Sequence, residues 1–442
     1  MLQTDPCFLT AAEAAAAIKA GTLTSERLVR SCLERIAVRD ADVKAWLHVD
    51  PAHAIRQARE LDKRSPMGPL HGLPFGVKDI MDTADMPTTQ NSAAYQGHRP
   101  TRDAACVAIV RHAGAVILGK TDTVEFAFNA RKAASRNPYN LDHTPGGSSS
   151  GSGAAVGDYQ VPFAFGTQTA GSHIRPASFN GIYALKPSWG TISREGVHLI
   201  SVMLDTVGWY GRSVDDLTLA AQAFRLPGID DSPTKSVADM KIGYCETPYW
   251  SRAEKGAQTA MTAAAERLRR AGASVEEIVL PAHFADLADA HSTIMFGEGR
   301  VAFYNEYLAN GHVLHPELRK TVEGGRGATP ERLVAAYDLA DVCRKEFDAI
   351  AARYDAVLAP AATGEAPKGI LNVGDWIFNG LWTLLHTPCV AIPAVRGDQG
   401  LPVGIQLVGP RLSDARLLAG ARAVQHVIDV EAEERLRVLL AA

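Results

Sequence analysis

Apolar positions recur along this chain in two rhythms. The N-terminal rhythm is helical. Thr10 and Glu13 form a capping-box pair around the alanine-rich run Ala11–Lys19, and Gly21 stops it. Leu28, Val29, Cys32 and Ile36 keep helical spacing and predict a second helix over 25–38. A third opens near Pro51, with Ala54, Ala58 and Leu61 on one face. Further on, short apolar runs take over. Residues 73–80, 115–118, 161–165, 181–185 and 206–209 read as strands. A helix capped by Asp103 and running through His112 separates the first two. Strand, helix, strand in that order predicts a sheet covered by helices on both faces.

A fresh α/β unit starts at Met240. Residues 241–245 read as a strand. Ala253, Ala257, Met261, Ala264 and Leu268 mark an amphipathic helix, and residues 275–280 return as a strand. Residues 290–328 are helix-rich and irregular, a variable lid or flank. Thr329-Pro330 opens a long helix to about Ala351, with proline in its first turn. Residues 355–360, 390–393 and 403–408 complete the strands, and a helix over 414–427 packs on them. No internal repeat or low-complexity linker divides the chain.

Composition narrows the class without naming it. The 442 residues are 46% apolar and 21% charged, ordinary for a globular protein with a large core. Net charge is −4, so charge offers no case for nucleic acid or an anionic membrane as partner. The six cysteines are scattered, without CxxC spacing or a Cys/His cluster for zinc. They read as free thiols of a reducing cytosol. The N-terminus has no basic stretch followed by an apolar one, and no apolar run reaches the length of a membrane span. A cytoplasmic protein without cofactor or metal is expected; a homodimer is left open.

One stretch remains unexplained by packing. Gly146-Gly147-Ser148-Ser149-Ser150-Gly151-Ser152-Gly153 is followed by an apolar strand and then by Thr169-Ala170-Gly171-Ser172-His173-Ile174-Arg175-Pro176. A flexible linker would fit the glycines and serines, but not the apolar Ala154-Ala155-Val156 run directly after them. A phosphate cradle would need a terminal Gly-Lys-Ser/Thr or a third spaced glycine, and neither is present. A hydrolytic site fits better. Glycines let backbone N–H groups approach a substrate, and two separated serines supply a nucleophile and a relay. Upstream, Lys78 ends the run Gly72-Leu73-Pro74-Phe75-Gly76-Val77-Lys78. Lysines seldom sit in such frames, and a snorkelling surface lysine is the alternative.

Three motifs in this order, Gly-Leu-Pro-Phe-Gly-Val-Lys, Gly-Gly-Ser-Ser and Gly-Ser-x-Ile-Arg-Pro, resemble the amidase signature family of Ser–Ser–Lys hydrolases. Ser148 and Ser172 lie 24 residues apart (172 − 148), as the two serines do in that family. The resemblance continues through Asn137-Pro138-Tyr139-Asn140, Leu185-Lys186-Pro187-Ser188, residues 204–208 and Leu401-Pro402-Val403-Gly404-Ile405-Gln406. It implies one α/β/α domain over 1–442 around a large twisted mixed sheet. Within it lie an N-terminal helical segment 1–65, a signature core 66–215 and the flank 290–328.

The resemblance also implies roles. Ser172 would be the nucleophile, Ser148 a bridging serine after a cis peptide, and Lys78 the base. The N–H groups of Thr169, Ala170, Gly171 and Ser172 would form the oxyanion hole. Family members commonly carry Asp-x-Gly-Gly-Ser where this chain has Gln168-Thr169-Ala170-Gly171-Ser172. That departure resembles a malonamidase-like branch, in which an arginine at the place of Arg175 holds a substrate carboxylate; an internal ion pair is the alternative for Arg175. His173 is expected to shape the pocket, and His71, His198 and His386 to be structural. Phe126, Phe128, Asn129, Trp376 and Trp382 are candidates for the substrate pocket, weighed against the core positions aromatics commonly fill. The expected function is hydrolysis of a small-molecule amide through an acyl-enzyme. The alternatives are the glutaminase subunit of a tRNA-dependent amidotransferase and an inactive paralogue that binds.

Overall fold

Eleven strands hydrogen-bond into one mixed sheet among the described residues, which are 5–441 apart from 129, 231, 232 and 234 in this computed structural model. They are β1 (Trp46–Val49), β2 (Pro74–Lys78), β3 (Val116–Thr121), β4 (Phe163–Gln168), β5 (Tyr183–Lys186), β6 (Thr206–Gly211), β7 (Lys241–Tyr244), β8 (Ser274–Glu277), β9 (Ala356–Pro360), β10 (Cys389–Arg396) and β11 (Pro402–Val408). Their spatial order is β1-β3-β2-β4-β6-β5-β10-β11-β9-β7-β8. β2 pairs in parallel with both β3 and β4, and β7 with β8 and β9; the other pairs are antiparallel.

Strands β2, β3, β4, β6, β9 and β11 are buried at every position. Successive side chains point to opposite faces, so both faces of the sheet are covered. This is why the strands read as continuous apolar runs rather than alternating ones. Phe75 of β2 sits 5.3 Å from Phe163 and 4.5 Å from Phe165, ring centre to ring centre, and ties β2 to β4. Each such aromatic pair adds about 0.5–1.5 kcal/mol beyond area burial.

The expected helix signals form as chemistry dictates. Thr10 and Glu13 cap reciprocally, with Glu13 N 3.2 Å from Thr10 Oγ1 and Thr10 N 2.8 Å from Glu13 Oε2. Thr329 caps the long helix Pro330–Ala351. The flank becomes three helices, Leu287–Ala302, Tyr304–Asn310 and Pro316–Val322.

One local expectation is corrected, and three elements form that the pattern does not predict. Asp103 does not cap the helix Ala105–His112; its carboxylate accepts from Ala84 N at 2.8 Å and pairs with Arg111 at 3.0 Å. The unexpected β1 is only four residues long and exists by pairing antiparallel with β3. The second half of the glycine–serine stretch is helix, Ser150–Gly157, buried throughout. The segment carrying Trp382 is the helix Ile377–Leu384. The glycine–serine helix Ser150–Gly157 carries no amphipathic stripe because it is buried on all sides.

Candidate active site

Lys78 closes β2 and is fully buried. Its Nζ lies 2.8 Å from Ser148 Oγ, 3.0 Å from Ser149 Oγ and 2.7 Å from Thr167 Oγ1. All three neighbours are hydroxyls. Burial therefore pushes the ammonium well below its usual range, with only the more distant Asp205 carboxylate pulling the other way. Ser149 directs its own hydroxyl to Thr167 O, 3.3 Å away. A neutral lysine amine keeps one lone pair, and a hydroxyl serves as donor or acceptor. Ser148 is thus able to donate into Nζ.

The two serine segments are laced together. The Gly147–Ser148 peptide is cis, as the resemblance implied. Val124 N and Thr123 Oγ1 donate to Ser148 O at 3.2 and 3.0 Å, and Ser149 N donates to Ser172 O at 3.3 Å. Gly151 has backbone pressed against it, since an added Cβ would collide with Ala45 O and Asp122 N. No larger residue fits there.

β4 leads straight into the turn that carries Ser172, and the helix Ile174–Phe179 follows. Gln168 holds this turn. Its Oε1 accepts from His173 N at 3.1 Å and Ile174 N at 3.0 Å, and its Nε2 donates to Thr383 Oγ1 at 3.0 Å. An amide oxygen does what a carboxylate would do at this helix start, which gives the Gln168 departure its physical account. Thr169 Oγ1 donates to Asp205 at 2.5 Å. Among the described residues the N–H groups of Ala170, Gly171 and Ser172 have no partner.

Ser148, Thr169, Ala170, Ser172 and Arg175 line a cavity of about 320 Å³. Lys132 lines it too, and Phe128, Met295, Phe296, Leu371 and Trp376 give it an apolar wall. A cleft of about 390 Å³ at the sheet edge, between Tyr244 and Ala285, contains none of these groups.

Arg175 is buried, and its Nη2 donates to Gly147 O at 2.5 Å. Its Nε and Nη1 have no partner among the described residues. Burial lowers its pKa to about 10, with the Asp375 carboxylate acting in the opposite sense. Asp375 itself pairs with Arg252 at 2.6 Å, and among the described residues Arg175 forms no ion pair.

Some expected pocket residues lie elsewhere. Phe126 packs against Tyr95, His198 and Phe303, and Trp382 against Phe347; neither lines the cavity. Asn129 lies outside the described residues. His173 does not shape the pocket. It is buried under the sheet, with Nε2 3.0 Å from Leu185 O and 3.2 Å from Trp209 O, its ring against Tyr210. Burial lowers its pKa to about 3, so it stays neutral. The residues that pattern reading missed are Ser149, Thr167, Thr383, Asp205, His291 and Lys132. No local signal marks them, because the contacts that tie them to the site reach 18 or more residues along the chain or are made only across the cavity.

Two serines and a turn of free N–H groups at one cavity, with a buried lysine behind Ser148, are what an amide-cleaving family would need. The family model described as Amidase matches residues 27–418.

The chain belongs to the Amidase family.

This amidase is 32% identical to a glutamyl-tRNA(Gln) amidotransferase subunit from Symbiobacterium thermophilum, over 95% of the chain and 97% of that protein. Among solved structures it resembles the native peptide amidase of Stenotrophomonas maltophilia, with TM-score 0.78 and 29% identity over 97% of each chain. It also resembles a glutamyl-tRNA(Gln) amidotransferase subunit from Thermotoga maritima, with TM-score 0.79 and 27% identity over 96% of each chain. The amidase is an enzyme that cleaves amide bonds, and its single α/β domain has the amidase signature fold. Among its described residues no helix is long and apolar enough to cross a membrane.

Proposed function

We propose that this amidase hydrolyses a small-molecule carboxylic amide through an acyl-enzyme on Ser172. The observation that carries the reading is a fully buried lysine ringed by hydroxyls, one of which belongs to a serine on the wall of the Ser172 cavity. Neutral Lys78 takes the proton of Ser148 as Ser148 takes that of Ser172. The Ser172 oxygen bonds to the substrate carbonyl carbon, and the carbonyl π pair moves onto oxygen. The N–H groups of residues 169–172 receive that oxyanion. The same proton returns through Ser148 to the amide nitrogen as the C–N bond breaks. Water, deprotonated by the same relay, then releases the acid and restores Ser172.

Arg175 extends the reading to substrate. A buried guanidinium with two nitrogens unpartnered, on the wall beside Ser172, is suited to a carboxylate on the acyl group. Lys132 on the same wall adds to the positive field, and the aromatic and methionine wall accommodates an apolar portion. The malonamidase-like branch expected above agrees with such a substrate.

The glutaminase-subunit reading is the second one, favoured by the names of the curated relatives. Purified protein assayed alone on acidic and neutral amides separates the two. Turnover of a free amide at a rate no partner improves supports the stand-alone amidase. Glutamine cleavage only when a second protein is added overturns it.

A further inference from the structure

The N–H groups at Ser172 face the cavity because something holds their peptide planes. A trans peptide is planar, so its C=O and N–H point in opposite directions. The carbonyl of Thr169 is bound by His291 Nε2 at 2.8 Å. The carbonyl of Ala170 is bound by Thr383 Oγ1 at 3.1 Å. Fixing these two oxygens fixes the N–H groups of Ala170 and Gly171 on the other side of each plane. Thr383 comes from the helix Ile377–Leu384, but His291 comes from the flank helix Leu287–Ala302, 122 residues from Thr169.

We propose that His291 is a positioning residue of the oxyanion loop, a fixed N–H donor that aims the Ala170 N–H at the developing oxyanion. The inference rests on the reading of Ser172 as nucleophile. A carbonyl oxygen only accepts, so His291 carries its hydrogen on Nε2. The ring is fully buried and lies 4.7 Å from the Trp376 ring, itself part of the cavity wall. Its Nδ1 has no partner among the described residues, so the Thr169 carbonyl is the sole polar contact that orients it there. Burial lowers its pKa to about 4, so the ring adds no positive charge near neutral pH. The flank therefore does more than cover the cavity: one of its helices sets the geometry of the reaction centre.

The test is the rate at which a fluorophosphonate labels Ser172, since its phosphonyl oxygen occupies the oxyanion position, together with kcat and KM on a hydrolysed amide. His291→Leu removes the donor and should slow labelling and kcat by about 10–100-fold, less than the loss of about 10²–10³ when a donor itself is removed. KM should stay within about threefold, because the contact acts on the transition state. His291→Gln places an amide N–H near the position of Nε2 and should recover most of the rate. A merely structural role would lower the melting temperature of both variants and leave the rate per labelled site alone. If His291→Leu does not fold, His291→Asn replaces it, because its amide reaches the place of Nδ1 and not of Nε2. Labelling at the wild-type rate in the Leu or Asn variant overturns the role, as does a Gln variant as slow as they are. A wild-type protein that takes no label at Ser172 removes the hydrolytic reading itself, and the role of His291 with it.

Discussion

Lys78 and Lys120 are both fully buried lysines on adjacent parallel strands, and their polar surroundings are opposite in kind. Val77 is the register partner of Lys120, so the two lysines point to opposite faces of the sheet. Lys120 is caged as a cation. Its Nζ lies 3.1 Å from Asp79 Oδ1, 2.8 Å from Met81 O, 3.2 Å from Pro87 O and 2.6 Å from Thr88 Oγ1. Burial lowers its pKa, but the Asp79 charge works against that. Lys78 has the same burial and only hydroxyls around it. Burial by itself therefore does not make a base. A base results where burial comes without a counter-charge, and the neighbours can pass a proton on.

The sharpest way to break this comparison is at the end of the Lys78 relay. Ser172→Ala should abolish fluorophosphonate labelling and reduce amide turnover to background. Labelling at another serine in the wild type would withdraw the assignment.

Next in size is the pair of lysine variants. Lys78→Met should lower kcat/KM by about 10²–10⁴ and erase its acid limb, the rise of rate with pH as the free enzyme's lysine deprotonates. Lys120→Met should leave that limb in place but destabilise the fold by about 3–5 kcal/mol, because it strands the Asp79 carboxylate. The two variants also differ in the sign of their effect on stability. Lys78 has a folded pKa below its unfolded value, so between the two values the unfolded chain binds the extra proton and stability rises with pH. Lys78→Met removes that cost, and its melting temperature at neutral pH should equal or exceed the wild type's. A Lys78→Met protein that melts early and keeps its acid limb would exchange the two roles.

A smaller effect is expected where the cavity meets substrate. Arg175→Ala should raise KM for amides that carry a carboxylate by about 10–100-fold, the worth of a charge-assisted hydrogen bond, and leave neutral amides nearly unchanged. Equal losses for both substrate classes would make Arg175 a support for Gly147. The smallest effect belongs to Thr383. Thr383→Val removes the acceptor for Gln168 Nε2 and the donor to Ala170 O while Gln168 keeps accepting from His173 and Ile174, so activity should fall by about 2–10-fold, the worth of a neutral hydrogen bond. A loss as large as that of Lys78→Met would place the Thr383 contact inside the chemistry.

The order of strands and helices was legible because buried strands are apolar without interruption and helix starts carry their caps in the sequence. The runs at 73–80 and 206–209 became β2 and β6 within a few residues, and Thr10 and Thr329 marked their helices. Lys78, Ser148 and Ser172 stood out because glycine-framed motifs leave polar residues that packing does not explain. Their meeting was another matter. Lys78 and Ser148 are 70 residues apart, and they touch because Ser148 stands just before the helix Ser150–Gly157, which leads into β4, the strand that pairs with β2. Aromatic pocket candidates split for the same reason. Phe128 and Trp376 reach the cavity while Phe126 and Trp382 fill the core, and composition gives all four the same signature. His173 shows the limit most plainly. Adjacent to Ser172 in sequence, it faces the strand carbonyls of Leu185 and Trp209, while His291, 119 residues further along (291 − 172), binds the Thr169 carbonyl. Sequence determines which residues are available and which local conformations they prefer. Which nitrogen meets which carbonyl is decided by chain crossings between distant segments, because burial makes most polar groups find a partner wherever the fold has put one.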